Sequence, residues 1–209
     1  MKVLTNLFQF AGGSVLEGED ESAATRARLL IQAALATVVF AAIYGVAAGS
    51  TEISMALNNI YKLPMVLLLS ALSAVPAGLL TWKLMGARGR ASDLLMGLAS
   101  ANFTASLVLA VLAPIVALYY HTSGYLGGSL AMGACYLGLA VGLVVLVRAL
   151  VKRVPKNTGF FHVAVPAAVL MTIQLATLVQ FIYVASPILP EITVFDGGMD
   201  EMLTSGGQL

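Results

Sequence analysis

The sequence predicts an all-α, polytopic integral membrane protein, a bundle of five transmembrane helices. Three observations predict it: 59% of the 209 residues are hydrophobic, only 10% are charged, and the apolar residues fall into five long runs. A soluble domain has about 25% charged residues, so this chain is too poor in charge to cover a water-facing surface. The runs span residues 29–49, 63–85, 94–120, 128–147 and 160–185.

Each run is long enough to be a membrane-spanning helix. About 20 residues cross a hydrocarbon layer of ~30 Å at ~1.5 Å per residue. A membrane β-barrel would instead alternate apolar and polar residues within segments of about 10 residues. The runs are continuous and rich in Leu and Ala, which favours helices. The chain therefore divides into an arm (1–28), a five-helix domain (29–185) and a tail (186–209).

The basic residues predict the orientation of these helices. Ten of the eleven Lys and Arg residues fall in the arm, the second connection and the fourth connection, and only Lys62 falls elsewhere. Cytoplasmic flanks of membrane proteins are enriched in Lys and Arg. The pattern predicts a cytoplasmic N-terminus and an external C-terminus, and helical spans favour a bacterial inner membrane. The ten residues are Lys2, Arg26, Arg28, Lys83, Arg88, Arg90, Arg148, Lys152, Arg153 and Lys156.

The arm is predicted to contain one short helix and a helix cap. Val3, Leu4, Leu7, Phe8 and Phe10 cluster on one helical face, which is typical of a helix lying in the membrane interface. A disordered start is the alternative. Ser22 is placed to cap the helix that becomes the first span.

The first outer connection, residues 50–62, is predicted to form a short amphipathic segment. Ile53, Leu57 and Ile60 are spaced for one helical face. Pro64 is then expected in the first turn of the second span, where proline is tolerated. The tail, residues 186–209, is predicted to be exposed, acidic and largely disordered. The alternative is that its apolar residues dock on a partner. Its acidic residues are Glu191, Asp196, Asp200 and Glu201.

A small set of polar residues lies deep within the third and fifth spans. One interpretation is hydrogen bonding between helices, worth about 0.6 kcal/mol for each bond. The other is a polar seam that lines a path for a solute or lipid. The seam would comprise Asn102, Thr104, Gln174, Thr177 and Gln180.

Two further features point to packing and to surface contacts. Gly138 and Gly142 in the fourth span are four residues apart, a spacing that permits close helix approach in membranes. The fourth connection is a basic cluster that suits contact with anionic lipid or with a protein partner. Its members are Arg148, Lys152, Arg153 and Lys156.

Several classes of function are excluded by what the sequence lacks. No charged residue lies in the middle of a span, whereas ion pumps and proton-coupled carriers usually need one. His121 and His162 fall on opposite sides of the membrane, and Cys135 is the single cysteine. No catalytic, phosphate-binding or metal motif is present. We therefore expect no enzyme, no cofactor, no metal site and, with a net charge of +1, no nucleic-acid partner.

Four short motifs stand in order along the chain, namely Met1–Leu7, Ala42–Gly45, Lys62–Pro64 and Leu112–Ile115. In order and spacing they resemble a bacterial family of small multi-span proteins related to the Yip (Ypt-interacting) membrane proteins. The resemblance covers residues 1–10 and 40–148. It implies a non-enzymatic, membrane-embedded protein of membrane organisation or trafficking. Some members carry an actin-binding WH-type label. We set that label aside because the helix required before Leu150–Val154 would be the fourth membrane span.

Three hypotheses about function follow. The first is a structural or accessory subunit of a larger membrane assembly, in contact with lipid and with other subunits or further copies of itself. The second is a small channel or transporter for a neutral solute or lipid. The third is a Yip-like membrane-shaping protein that acts through the interfacial N-terminal helix.

Overall fold

The structure, a computed structural model, describes residues 22–87, 89–153 and 159–188. These residues form five α-helices, and no strand occurs among them. Each helix is long and apolar enough to cross a membrane, which confirms the predicted all-α fold class and identifies a multi-pass membrane protein. The helices are α1 Ala23–Ala48, α2 Ile53–Leu84, α3 Ala91–Thr122, α4 Gly124–Arg153 and α5 Phe160–Ala185.

The outer surface of the bundle supports a lipid environment. Large apolar side chains are exposed on every helix, where a soluble monomer would rarely tolerate a continuous apolar surface. In a bilayer the same side chains contact hydrocarbon. Examples are Leu35, Leu72, Val111, Val144 and Val179, with exposed fractions of 61%, 66%, 67%, 64% and 60%.

Helix α2 starts ten residues earlier than the apolar run suggested. The residues of the predicted amphipathic segment are helical from Ile53 and continue into the span without a break. The prediction that Pro64 lies in the first turn is wrong, because Pro64 lies in the helix interior. Proline leaves the carbonyl four residues earlier without its helical donor. Such freed groups are tolerated in membrane helices where neighbouring helices surround them, and Pro64 is buried.

The start of α1 agrees with the predicted cap. The Ser22 hydroxyl accepts a hydrogen bond from the backbone N–H of Thr25 at 3.2 Å. An N-cap side chain satisfies one of the backbone donors that a helix start leaves free. The interfacial helix predicted for residues 1–10 lies outside the described residues and stays a prediction.

Short connections place the helices side by side in alternating directions. Helix α3 packs between α4 and α1, and α2 packs between α1 and α5. The starts of α1, α3 and α5 and the ends of α2 and α4 therefore share one end of the bundle, which we call the basic end. The described basic residues other than Lys62 lie there, namely Arg26, Arg28, Lys83, Arg90, Arg148, Lys152 and Arg153.

Separate apolar clusters fill the two ends of the interior. Near the basic end, Leu94, Leu146 and Leu170 join α3, α4 and α5. Near the opposite end, Tyr44 and Val116 join α1 and α3. The first residues after α5 also pack on the bundle. The predicted exposure of the tail from residue 186 is wrong for Ile188, which is buried.

Candidate functional site

The predicted polar seam is partly assembled by α3 and α5. Gln174 Nε2 donates a hydrogen bond to Asn102 Oδ1 at 2.7 Å, and Asn102 Nδ2 donates to the carbonyl of Leu98 at 2.9 Å. Both residues lie near the middle of their helices. The pair therefore joins two spans at a depth where water is scarce.

This chain of hydrogen bonds fixes the direction of the Gln174 amide. The Leu98 carbonyl can only accept a hydrogen bond, so Asn102 turns its amide nitrogen towards it and its amide oxygen towards Gln174. Gln174 must therefore turn its amide nitrogen towards Asn102. Gln174 Oε1 then points away, and it has no hydrogen-bond partner among the described residues. The residue is only 4% exposed. A buried acceptor left unpaired costs about 1–3 kcal/mol.

Thr177 extends the seam to α2. Its hydroxyl lies 2.8 Å from the carbonyl of Ile173, one turn earlier, and 3.4 Å from the carbonyl of Ser70 on α2. Asn102, Gln174 and Thr177 therefore lie where α2, α3 and α5 meet. Sequence spacing indicated that Gln174 and Thr177 share a face, but it did not identify Asn102 as their neighbour.

The other two predicted seam residues lie elsewhere. Thr104 is buried and donates to the carbonyl of Ser100 within α3 at 2.9 Å. It is two residues from Asn102, and so points to a different side of the helix. Gln180 is exposed on the outside of α5. The structure thus joins three of the five predicted residues.

Gly138 and Gly142 lie at the interface between α4 and α3. A Cβ atom added to Gly138 would lie 3.2 Å from the carbonyl oxygen of Ala105, and one added to Gly142 would lie 3.1 Å from that of Ala101. Both positions therefore bring the two backbones close together. This close approach is the geometry for which small residues at a spacing of four are known in membrane helices.

Gly133, one turn nearer the start of α4, faces the other way. A Cβ atom built on Gly133 meets nothing within 4 Å. Gly133 lines an outward-facing apolar groove of about 350 Å³ between α3 and α4, towards the end opposite the basic end. Its other lining residues include Leu112, Ile115, Ser129, Leu130 and Leu137.

The predicted basic cluster is spread over the end of α4. Arg148 and Lys152 are exposed, whereas Arg153 is half-buried. Lys156 lies outside the described residues. Contact of this exposed pair with lipid headgroups or a partner stays a prediction.

A buried ion pair at the basic end was missed by sequence reasoning. Arg26 Nη1 lies 3.1 Å from Asp93 Oδ1, and the two side chains are only 9% and 8% exposed. The other carboxylate oxygen of Asp93 accepts the backbone N–H of Arg90 at 2.8 Å. The sequence did indicate that Arg26 and Asp93 lie at the same depth, because each stands in the first turn of its helix and the two helices start at the same end of the bundle.

The opposite end has a comparable tie between α1 and α4. The Tyr44 hydroxyl donates to the carbonyl of Ala131 at 2.7 Å and lies 3.6 Å from Cys135 Sγ. Within the described residues, no group of three His, Cys, Asp or Glu side chains is arranged to hold a metal ion.

These features define a multi-pass helical membrane protein whose interior polar groups join its own helices. Comparison of the chain with protein-family models, with curated proteins and with solved structures gives no match.

Proposed function

We propose that this protein is a non-enzymatic structural or accessory subunit of a larger assembly in a bacterial inner membrane. A transmembrane helix of another subunit would occupy the groove between α3 and α4. The basic end would face the cytoplasm, because Lys and Arg are retained on that side of the membrane. The observation that carries the proposal is the outward-facing groove at Gly133.

The groove suits a helix because small residues of α4 interrupt its otherwise large, aliphatic lining. Gly133 and Ser129 are four residues apart and both line it. Helices in lipid gain little from burying apolar surface, so they associate where small residues let their backbones approach closely. The two other glycines of this helix, Gly138 and Gly142, are already covered by α3. Gly133 offers the same kind of surface to a partner.

The interior of the bundle supports a structural role as well. Gln174 and Asn102 bind each other, and the hydroxyls of Thr104 and Thr177 donate to carbonyls of their own helices. The first of these bonds joins α5 to α3, and the two hydroxyl bonds satisfy their donors within single helices. The charges of Arg26 and Asp93 are likewise engaged in a tie between α1 and α3.

Filling the groove tests the proposal. We expect Gly133→Leu to reduce co-purification of the partner from native membranes by at least about tenfold, equivalent to about 1.4 kcal/mol. The added side chain would occupy the space of the partner helix without touching the interior. The measurement is quantitative mass spectrometry of tagged protein extracted in a gentle detergent.

The matched control is Met132→Leu, which changes an exposed apolar residue beside Gly133. It should leave co-purification unchanged. Equal recovery of partners with both variants, at equal abundance in the membrane, would contradict a docking role for the groove.

A second candidate function is a path for a neutral solute, favoured by the unpaired Gln174 Oε1. That acceptor could bind a hydroxyl or amide donor in passage. On this hypothesis, liposomes containing the protein would take up glycerol or urea faster than empty liposomes, and Gln174→Leu or Asn102→Leu would slow uptake. On the structural hypothesis we expect uptake equal to that of empty liposomes.

A further inference from the structure

The chain that leaves α5 is held by two side chains of α2. Asn59 Nδ2 donates to the carbonyl of Ile188 at 2.6 Å, and Lys62 Nζ lies 3.3 Å from the carbonyl of Pro187. Two consecutive carbonyls are thus bound by residues about one helical turn apart. Terminal segments without such ties are usually poorly ordered.

Burial reinforces the first of these hydrogen bonds, whereas the bond from Lys62 to Pro187 is exposed. Asn59 is fully buried at 0% exposure, and Ile188 is 6% exposed. The Ile188 side chain packs with Val66 of α2 and Leu178 of α5. An asparagine buried at the end of a membrane helix is costly unless its amide is hydrogen-bonded. Here Asn59 Nδ2 donates to the carbonyl of Ile188, whereas Asn59 Oδ1 has no hydrogen-bond partner among the described residues.

The order of the contacts gives the direction of the chain. Pro187 lies beside Lys62 and Ile188 beside Asn59, so the backbone runs towards the start of α2. Met55, Asn59, Lys62 and Val66 are spaced by four, three and four residues, which places them on one face of the helix. Met55, which is half-buried, is the next side chain on that face.

The distances suit continued contact along this face. The step from Asn59 to Met55 is a rise of about 6 Å at ~1.5 Å per residue. Two further residues of extended chain cover about 7 Å. Leu189 and Pro190 follow Ile188, so they can reach Met55. Pro190 has no backbone N–H, and it can therefore lie on an apolar surface without leaving a donor unpaired.

We infer that the face formed by Met55, Asn59 and Lys62 is a docking surface for the protein's own C-terminal segment, beginning with Leu189 and Pro190. Charge supports this occupant. Among the described residues, Lys62 is the one Lys or Arg remote from the basic end, and the segment carries four acidic residues and no Lys or Arg. The segment would then fasten the ends of α2 and α5 together. This inference goes beyond the proposed function and does not depend on it.

Disulfide trapping in full-length protein tests the inference. In a Cys135→Ser background, we expect Met55→Cys combined with Leu189→Cys to form an intramolecular disulfide about tenfold faster than the matched control pair, given the Cα separation of ~4.4–6.8 Å that a disulfide requires. The control combines Leu57→Cys with Leu189→Cys. Leu57 is exposed and lies on a different side of α2.

A second change tests the role of Asn59. Asn59→Ala in the trapping pair should slow disulfide formation several-fold, whereas Asn58→Ala, which alters an exposed neighbour, should not. Equal trapping rates for Met55→Cys and Leu57→Cys would overturn the inference, as would trapping insensitive to Asn59→Ala. Neither result would bear on partner binding at Gly133.

Discussion

Asp93→Asn is expected to lower the free energy of unfolding by about 3–5 kcal/mol, the usual cost of removing one member of a buried ion pair. The substitution keeps the shape of the side chain but removes its charge. Arg26 would then remain at its present site with its side chain 9% exposed and with no opposite charge from Asp93. The measurement is the unfolding of purified protein in mixed micelles as SDS is increased.

Two further variants separate the ion pair from general effects of charge. Arg28→Gln removes an exposed arginine two residues along the same helix, and it should change stability by less than about 0.5 kcal/mol. The double variant Arg26→Met/Asp93→Leu should recover part of the loss, because neither charge is then left unpaired. If Asp93→Asn were as mild as Arg28→Gln, the buried ion pair would not be a main tie between α1 and α3.

Gly45→Ala is expected to destabilise the contact between α1 and α2 by about 1–3 kcal/mol, the typical cost of overpacking. A Cβ atom at this position would overlap the carbonyl oxygen of Asn59 and would lie 2.9 Å from its carbonyl carbon. The obstacle is backbone, so no side-chain rotation can relieve it. The helices would have to separate. The same SDS unfolding assay measures the effect.

Gly133→Ala is the matched control because it makes the same chemical change on a helix. Nothing lies within 4 Å of the added atom, and alanine is favoured over glycine within a helix by about 0.5–1 kcal/mol. This variant should be as stable as the original protein or more stable. A loss of stability shared by both variants would mean that close packing at Gly45 is not the cause.

The number and approximate positions of the spans could be predicted because apolar runs of this length are typical of membrane-spanning helices. The start of α2 could not. Residues 53–62 contain Asn58, Asn59 and Tyr61, so they lowered the apolar signal, and Pro64 suggested a helix start. Gly45 and Gly49 of α1 pack against the backbone of this part of α2. Such packing between helices cannot be read from the local composition.

The site was predictable only where a pattern lies within one helix. Gly133, Gly138 and Gly142 look alike in sequence, but helical rotation turns the first outward and the other two towards α3. Asn102 and Gln174 were recognised as polar residues at depth, whereas their pairing depends on which helices become neighbours. The ion pair of Arg26 with Asp93 and the hydrogen bond of Asn59 with Ile188 also join residues of different segments, so they could not be predicted either.

The most direct test of the proposed function is the intact mass of the protein extracted from its native membrane in a gentle detergent. The groove at Gly133 predicts a defined complex that contains this chain and other membrane subunits in fixed proportion. In cells that lack one of these subunits, the abundance of this chain should also fall. A stable monomer, recovered alone from native membranes, would contradict the proposal that the protein is a subunit of a larger assembly.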